Sequence, residues 1–197
     1  MIKSDKYLPL YHRIDLLRRQ RESFTVAIDG SSGAGKSSLA ALLQQTYFCN
    51  VISMDDFFLR PIQKTPERLA EPGGNIDYER FASEIIQPLK TGKAFAYRPY
   101  NCKTGEFSEP VAVIPNPITV IEGVYSLHPH FAGAYDITVF LSLDGAEQRR
   151  RLLERNQLLY ERFMLEWIPM ENKYFDMFQI AKQCDFVFHA GQTGGIA

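Results

Sequence analysis

The stretch Phe24-Thr-Val-Ala-Ile-Asp29-Gly30-Ser-Ser-Gly-Ala-Gly35-Lys36-Ser37 decides the fold. Its first six residues form a compact apolar run without polar alternation, the pattern of a short strand covered on both faces. Gly30 to Ser37 then satisfies G-x-x-x-x-G-K-[ST] at every fixed position. Gly30, Gly33 and Gly35 let the backbone take positive φ and approach an anion with no Cβ in the way. Successive N–H groups then form a nest at the start of the next helix, where the helix dipole also favours negative charge. The candidate nucleotide-binding residues are therefore Gly30, Ser31, Ser32, Gly33, Ala34, Gly35, Lys36, Ser37 and Ser38. Lys36 supplies a point charge at the β/γ-phosphates, and the Ser37 hydroxyl is suited to ligate Mg²⁺. A chance match in a chain this long is on the order of 1%. The flanking strand and helix are the context that confirms the motif.

Reading outward, Lys36 to Gln45 is helical, with Leu39, Leu42 and Leu43 on one face. Leu10, Ile14 and Leu17 predict a short amphipathic helix before the first strand. Residues 50–53, 118–121, 137–141 and 185–188 are further β-rich apolar runs. Helices are expected over 77–90, 144–159 and from Pro169 to Lys182, with Pro169 in a first turn. Residues 95–100 and 107–114 flank Lys103-Thr-Gly105 as a β-hairpin. Pro61, Pro66, Pro72 and Gly73-Gly74 mark 55–75 as one long loop. Strands alternating with helices give an α/β fold with a mainly parallel five-stranded sheet flanked by helices.

Composition removes several classes of function. The 197 residues carry 22 Lys+Arg against 23 Asp+Glu, so no basic field exists to hold nucleic acid. No apolar run nears the length of a membrane span, and residues 1–22 lack a signal-peptide core. Cys49, Cys102 and Cys184 form neither a disulfide framework nor a zinc pattern. A reduced, cytoplasmic protein is the expectation. His12, His128, His130 and His189 have no metal-ligand spacing. Trp167, Tyr174, Phe175 and Phe178 read as core packing of the last helix.

Two acidic sites fall at strand ends, where ligands sit in parallel α/β sheets. Asp55 and Asp56 follow the second strand in Ser53-Met-Asp-Asp-Phe-Phe58. One such carboxylate can take a proton from an attacking hydroxyl and the other can support a metal shell. Glu122, in Val120-Ile-Glu-Gly123, ends another strand in the general form of the second nucleotide-hydrolase motif. Arg149, Arg150, Arg151 and Arg155, with Arg162 beyond, are candidates to close over a triphosphate.

Taken together these residues resemble the uridine kinase-like branch of P-loop small-molecule kinases, with phosphoribulokinase and pantothenate kinase as cousins. The resemblance spans roughly 24–188 and rests on Gly30–Ser37, Ser53-Met-Asp55, Gly74-Asn-Ile-Asp77, Tyr97 with its hairpin, Glu122-Gly123 and the arginine helix. It implies one P-loop kinase domain over 1–197, with an acceptor hairpin at about 94–114 and a helical lid at about 155–168. It implies ATP and Mg²⁺ as cofactors and a small-molecule acceptor, and makes a homo-oligomer a family expectation. Asp55 and Lys36 would be catalytic. Asp55, Phe58, Asp77, Tyr97, Cys102 and Glu122 would face the substrate, and Ser37, Asp56 and Glu122 the metal. Arg155 or Arg162 would close on the triphosphate. Several positions depart from the family: Ile76 stands where an aromatic residue is usual, Cys102 where the hairpin carries a His, Arg98 and Pro99 also differ, and 60–72 is unlike the family's loop. The departures fall on the acceptor side. The reading is an ATP-dependent uridine/cytidine-type kinase; kinases of other small alcohols, pantothenate-like or sugar-like, and a nucleotide-binding regulator are its alternatives.

Overall fold

In the computed structural model, which describes residues 5–190, β1 (Phe24–Gly30) is the middle strand of a five-stranded sheet. The order is β2 (Asn50–Ser53), β7 (Ile118–Glu122), β1, β8 (Ile137–Ser142), β9 (Phe186–His189), and every pairing is parallel. All five residues of β7 are buried. Period-two alternation sends Val26, Ile28, Val120, Val139 and Leu141 to one face, against Leu10, Ile14, Leu39 and Leu43 of helices Leu8–Gln20 and Lys36–Tyr47. Ile52, Ile121 and Phe140 point the other way, into a second core with Phe57, Phe81, Ile85 and Tyr174. Each fully buried aliphatic or aromatic side chain contributes about 1.5–3 kcal/mol. Among the described residues no helix is long and apolar enough to cross a membrane.

The hairpin forms as two short antiparallel ladders. β3 (Phe95–Tyr97) pairs with β6 (Val111–Val113), and β4 (Tyr100–Asn101) with β5 (Glu106–Phe107). The 55–75 segment is more ordered than its prolines and glycines suggest. It contains a 3-10 turn at Met54–Phe57, another at Pro61–Gln63 and an α-turn at Pro66–Ala70. Pro61 and Pro66 open these turns instead of breaking them, since a first-turn residue needs no N–H partner. Arg68 pins the segment, donating to the carbonyls of Gly74 (3.0 Å) and Ile76 (2.9 Å), pairing with Glu79 and stacking over Tyr78.

Three helices also depart from expectation. The helix expected over 144–159 stops at Arg155, because Asn156 leaves helical geometry and its side chain caps the next turn at Leu159. The last helix starts earlier than Pro169 and ends at Phe178, with Gln179 left-handed and a 3-10 turn at Ile180–Gln183. Helices 78–89 and 160–178 each contain a π turn, at Ala82–Ile86 and Phe163–Trp167. Each π turn ends just before a proline, Pro88 or Pro169. A proline ring crowds the carbonyl four residues back and supplies no N–H, and the wider turn absorbs both defects.

His128 is buried beside Phe131, Tyr174 and Phe178 of the second core, its ring stacked on Tyr78 at 4.7 Å. Its Nδ1 accepts from the His130 N–H (3.2 Å), and the ring also bonds the Pro72 backbone. Burial pushes its pKa down to about 4, with His130 and Arg68 adding to the effect and Glu71 opposing it. The unfolded chain therefore takes up a proton near pH 6.5 that the folded chain refuses. The contribution is fully present above pH 6.5 and is lost as pH falls toward 4. Denaturant titrations should show the stability gap between wild type and His128→Gln shrinking by on the order of 2 kcal/mol across that window, after allowance for solvent screening. A gap independent of pH would contradict this reading of His128.

Candidate active site

The phosphate loop begins where β1 ends. Gly30 has φ 137°, and a Cβ there would lie 2.0 Å from the Leu141 carbonyl oxygen of the adjacent strand, so no other residue fits. Gly35 (φ 94°) is the left-handed N-cap of helix Lys36–Tyr47, and no side chain caps that helix. Its first-turn N–H groups are thus directed into the loop as anion donors. Lys36 is only 8% exposed and its ammonium donates to the carbonyls of Gly30 (2.8 Å) and Ser31 (3.1 Å), placing the cation under the arch of the loop.

Beneath the loop lies Asp29, wholly buried. Its carboxylate accepts from the N–H groups of Gly30 (2.7 Å), Tyr125 (3.2 Å) and Leu127 (3.0 Å) and from the Tyr174 hydroxyl (2.8 Å). Burial raises its pKa, against the pull of those bonds and of Lys36. Asp29 thereby ties the end of β1 to the turn after Glu122 and to helix 160–178.

Glu122 is brought to Ser37 as expected. In register it lies level with Ile28 of β1 and Ser53 of β2. Its two carboxylate oxygens accept from the hydroxyls of Ser37 (3.1 Å) and Ser53 (3.2 Å). Desolvation raises its pKa, with Asp55 adding to the rise and Ser37, Lys36 and Ser53 opposing it. The group is all oxygen, the donor type a hard cation takes. Among the described residues no three or more His, Cys, Asp or Glu side chains could enclose a metal. One carboxylate and one hydroxyl fit an ion completed by phosphate oxygens and water, as Mg²⁺ commonly is.

The paired acids of the Met54–Phe57 turn point different ways. Asp55 is exposed at the mouth and acts electrostatically on Glu122 and on the Cys102 thiol. Asp56, expected beside the metal, accepts from the Tyr97 hydroxyl (3.0 Å) through one of its carboxylate oxygens. Burial raises the pKa of Asp56, and the Tyr97 bond opposes the rise. Asp55 is the acid whose charge reaches Glu122; Asp56 braces the hairpin. The reason is local: in one 3-10 turn, successive side chains diverge.

Asp77 is 4% exposed and caps helix 78–89 through the Arg80 N–H (3.1 Å), while its second oxygen accepts from Gln63 Nε2 (2.7 Å). Arg80 donates to the Asp56 carbonyl (2.6 Å) and lies 4.1 Å from the Phe57 ring centre, and Phe57 stacks on Tyr97. Asp56, Asp77 and Tyr97 are thus joined in one framework. Phe58 is half-buried against the second core and bridges Ile76. Cys102 is exposed at the hairpin turn, where Lys64, Asp55 and Arg162 act on it. Charges from the 60–75 segment, the Met54–Phe57 turn and the 155–168 segment thus all reach the tip of the hairpin at Cys102.

Of the arginines, Arg155 closes the last turn of its helix. The contact from this helix to the loop is made by Arg151, which donates to the Gly33 carbonyl (3.2 Å), and by Gln148, which donates to the Ser32 carbonyl (2.9 Å). Arg162 pairs with Glu166 (2.9 Å) and lies over the Trp167 ring. Residues not anticipated from sequence are Asp29, Gln63, Gln148 and Glu171; Arg151 was among the candidate arginines, and its contact to the Gly33 carbonyl is what the structure adds. Asp29 carried a signal, a charged end to an apolar strand directly before the motif. Gln148 and Glu171 carried none, being 116 and 139 positions from Ser32.

No protein-family model matches the chain. Solved structures do. A protein described as a possible uridine kinase from Bacillus stearothermophilus matches 92% of this chain and 100% of its own, at 22% identity and a TM-score of 0.65. A protein provisionally assigned as a fructose transport system kinase of Silicibacter sp. TM1040 matches 91% and 97%, at 22% identity and a TM-score of 0.66. A P-loop kinase candidate of Saccharomyces cerevisiae with a circular permutation matches 94% and 98%, at 12% identity and a TM-score of 0.65. With the parallel sheet and the loop at the end of β1, these likenesses establish that the chain has the fold of the P-loop kinases.

Proposed function

We propose that the protein is an ATP-dependent kinase that phosphorylates a hydroxyl of a small molecule, and that the acceptor is a nucleoside of the uridine or cytidine type. The observation that carries the kinase reading is the convergence of Ser37, Glu122 and Asp55 beside the Lys36 loop. A phosphate cradle alone would serve a sensor. A free carboxylate facing it, with Asp77 and Tyr97 behind, serves a second substrate. Lys36 and the loop N–H groups would bind the β/γ-phosphates. Mg²⁺ held through Ser37 and Glu122 would supply charge neutralisation on those oxygens. Asp55 would accept the acceptor's proton as its oxygen attacks. The 94–114 hairpin would cover the acceptor, and the 155–168 segment, with Arg162, would close over the triphosphate and exclude water.

A second reading keeps the reaction and changes the acceptor to a sugar-like or pantothenate-like alcohol. The hairpin turn favours it, because Cys102 stands where the resembling kinases carry a His. An ADP-release screen with ATP and Mg²⁺ over uridine, cytidine, fructose, pantothenate and small polyols tests both. Uridine or cytidine should raise ADP formation above the acceptor-free rate. Acceleration by a sugar or pantothenate alone would replace the nucleoside assignment, and none with any acceptor would remove the kinase reading.

A further inference from the structure

We propose that Glu171 is a positioning residue of the phosphate loop: from helix 160–178 it holds both donors of Ser32, while Gln148 holds the Ser32 carbonyl from helix Gly145–Arg155. The inference rests on the nucleotide-binding reading of that loop. Glu171 Oε2 accepts from the Ser32 N–H (3.0 Å) and Oε1 from the Ser32 hydroxyl. Gln148 Nε2 donates to the Ser32 oxygen (2.9 Å), and one turn later Arg151 donates to the Gly33 oxygen. One residue of the loop is thus gripped on both sides by the helices that enter and leave the 156–167 segment.

The choice of side chain points to geometry over stability. Glu171 is 4% exposed and its hydrogen-bond donors belong to a neutral serine. A buried carboxylate bonded only to neutral donors is costly, and beside an anion-binding loop its charge opposes the ligand as well. Lys36 eases that cost. What the carboxylate offers is two acceptor oxygens for two donors on one residue, which no neutral side chain of the same length provides. A glutamine would accept from the N–H and donate its NH₂ to the hydroxyl oxygen, so the charge-assisted bond from the hydroxyl is lost and its direction reversed. With its N–H and hydroxyl committed to Glu171, Ser32 is fixed in direction. The peptides that follow it, Gly33 to Ser37, inherit that direction as they curve around the β/γ-phosphate position. Glu171 touches no reacting atom in this account and acts through Ser32.

The test is equilibrium binding of AMP, ADP and ATP with Mg²⁺ to the full chain, wild type and Glu171→Gln, beside the melting midpoint of each without nucleotide. Expected is an ADP and ATP affinity lowered about tenfold, the loss of one charge-assisted hydrogen bond. AMP affinity should hold within about twofold, and the melting midpoint should be at or above that of wild type. Equal ADP affinity in the two proteins overturns the inference. So does a variant that weakens AMP and ADP alike with a lower melting midpoint, which marks a structural role only. Ser32→Ala gives a second arm: it should weaken ADP binding by about threefold in the wild type and add nothing in Glu171→Gln. Additive losses would overturn the coupling. Ser32→Ala alone, read on AMP against ADP, decides the matter should Glu171→Gln not fold. A wild-type chain that binds neither ADP nor ATP would remove the nucleotide reading itself, an outcome distinct from all of these.

Discussion

Asp55→Asn is expected to lower acceptor phosphorylation by about 10²–10⁴-fold while leaving ATP affinity within about threefold. The expectation follows from where the turn puts its two acids. Asp56 is committed to Tyr97, whereas Asp55 is exposed and its charge acts on Glu122. Asparagine keeps the shape and the Ser53 cap on the Asp55 N–H, so the turn should survive. It cannot take a proton. Steady-state kinetics with a saturating acceptor separates the outcomes: the loss should fall on kcat and leave KM for ATP unmoved. Asp56→Asn, by contrast, should act through the hairpin and raise KM for the acceptor. If instead the Asp56 variant carried the loss in kcat, the two roles assigned here would be exchanged.

Lys36→Ala should have an effect of similar size and a different signature. Its ammonium is buried under the loop and satisfies two of its backbone carbonyls. It also lowers the pKa of Asp29, Glu122 and Glu171, whose carboxyls are raised by burial. Removal should cut turnover by about 10²–10³-fold and weaken ATP binding as well, because the charge meets the β/γ-phosphates in both ground and transition states. The folded state should also lose stability, since three buried carboxyls lose their common cation. Folded-state pKa values already above their unfolded ones would rise further, so the stability loss should be largest at high pH and fade as the carboxyls protonate. Lys36→Arg should not rescue turnover, because a wider, forked cation does not fit a site only 8% exposed. Nucleotide binding and thermal melting from pH 5 to 8 check both statements. An alanine variant that bound ATP like wild type would contradict the placement of the cation.

Much of this was legible in the sequence because its signals are local. Strand β1, the glycines and Lys36 are contiguous, and their chemistry needs that spacing. Glu122 was legible because a parallel strand that ends in an acid places it beside the loop. The 55–75 segment was not, because proline and glycine mark both loops and first turns, and only the tertiary grip of Arg68 decides between them. The divergence of Asp55 and Asp56 was hidden for the opposite reason. Two adjacent identical residues carry no sequence mark of which way each points. Glu171 and Gln148 reach their partners through the fold, where no periodicity reports them.

The central claim is that this loop and these acids transfer phosphate to a small alcohol. Its most direct test is ATP labelled on the γ-phosphate, incubated with Mg²⁺ and a nucleoside and polyol mixture, with wild type and Asp55→Asn in parallel. Wild type should place label in a small phosphorylated acceptor, and the variant at least about a hundredfold less. Label released only as inorganic phosphate, or an acceptor product formed equally by both proteins, would contradict it.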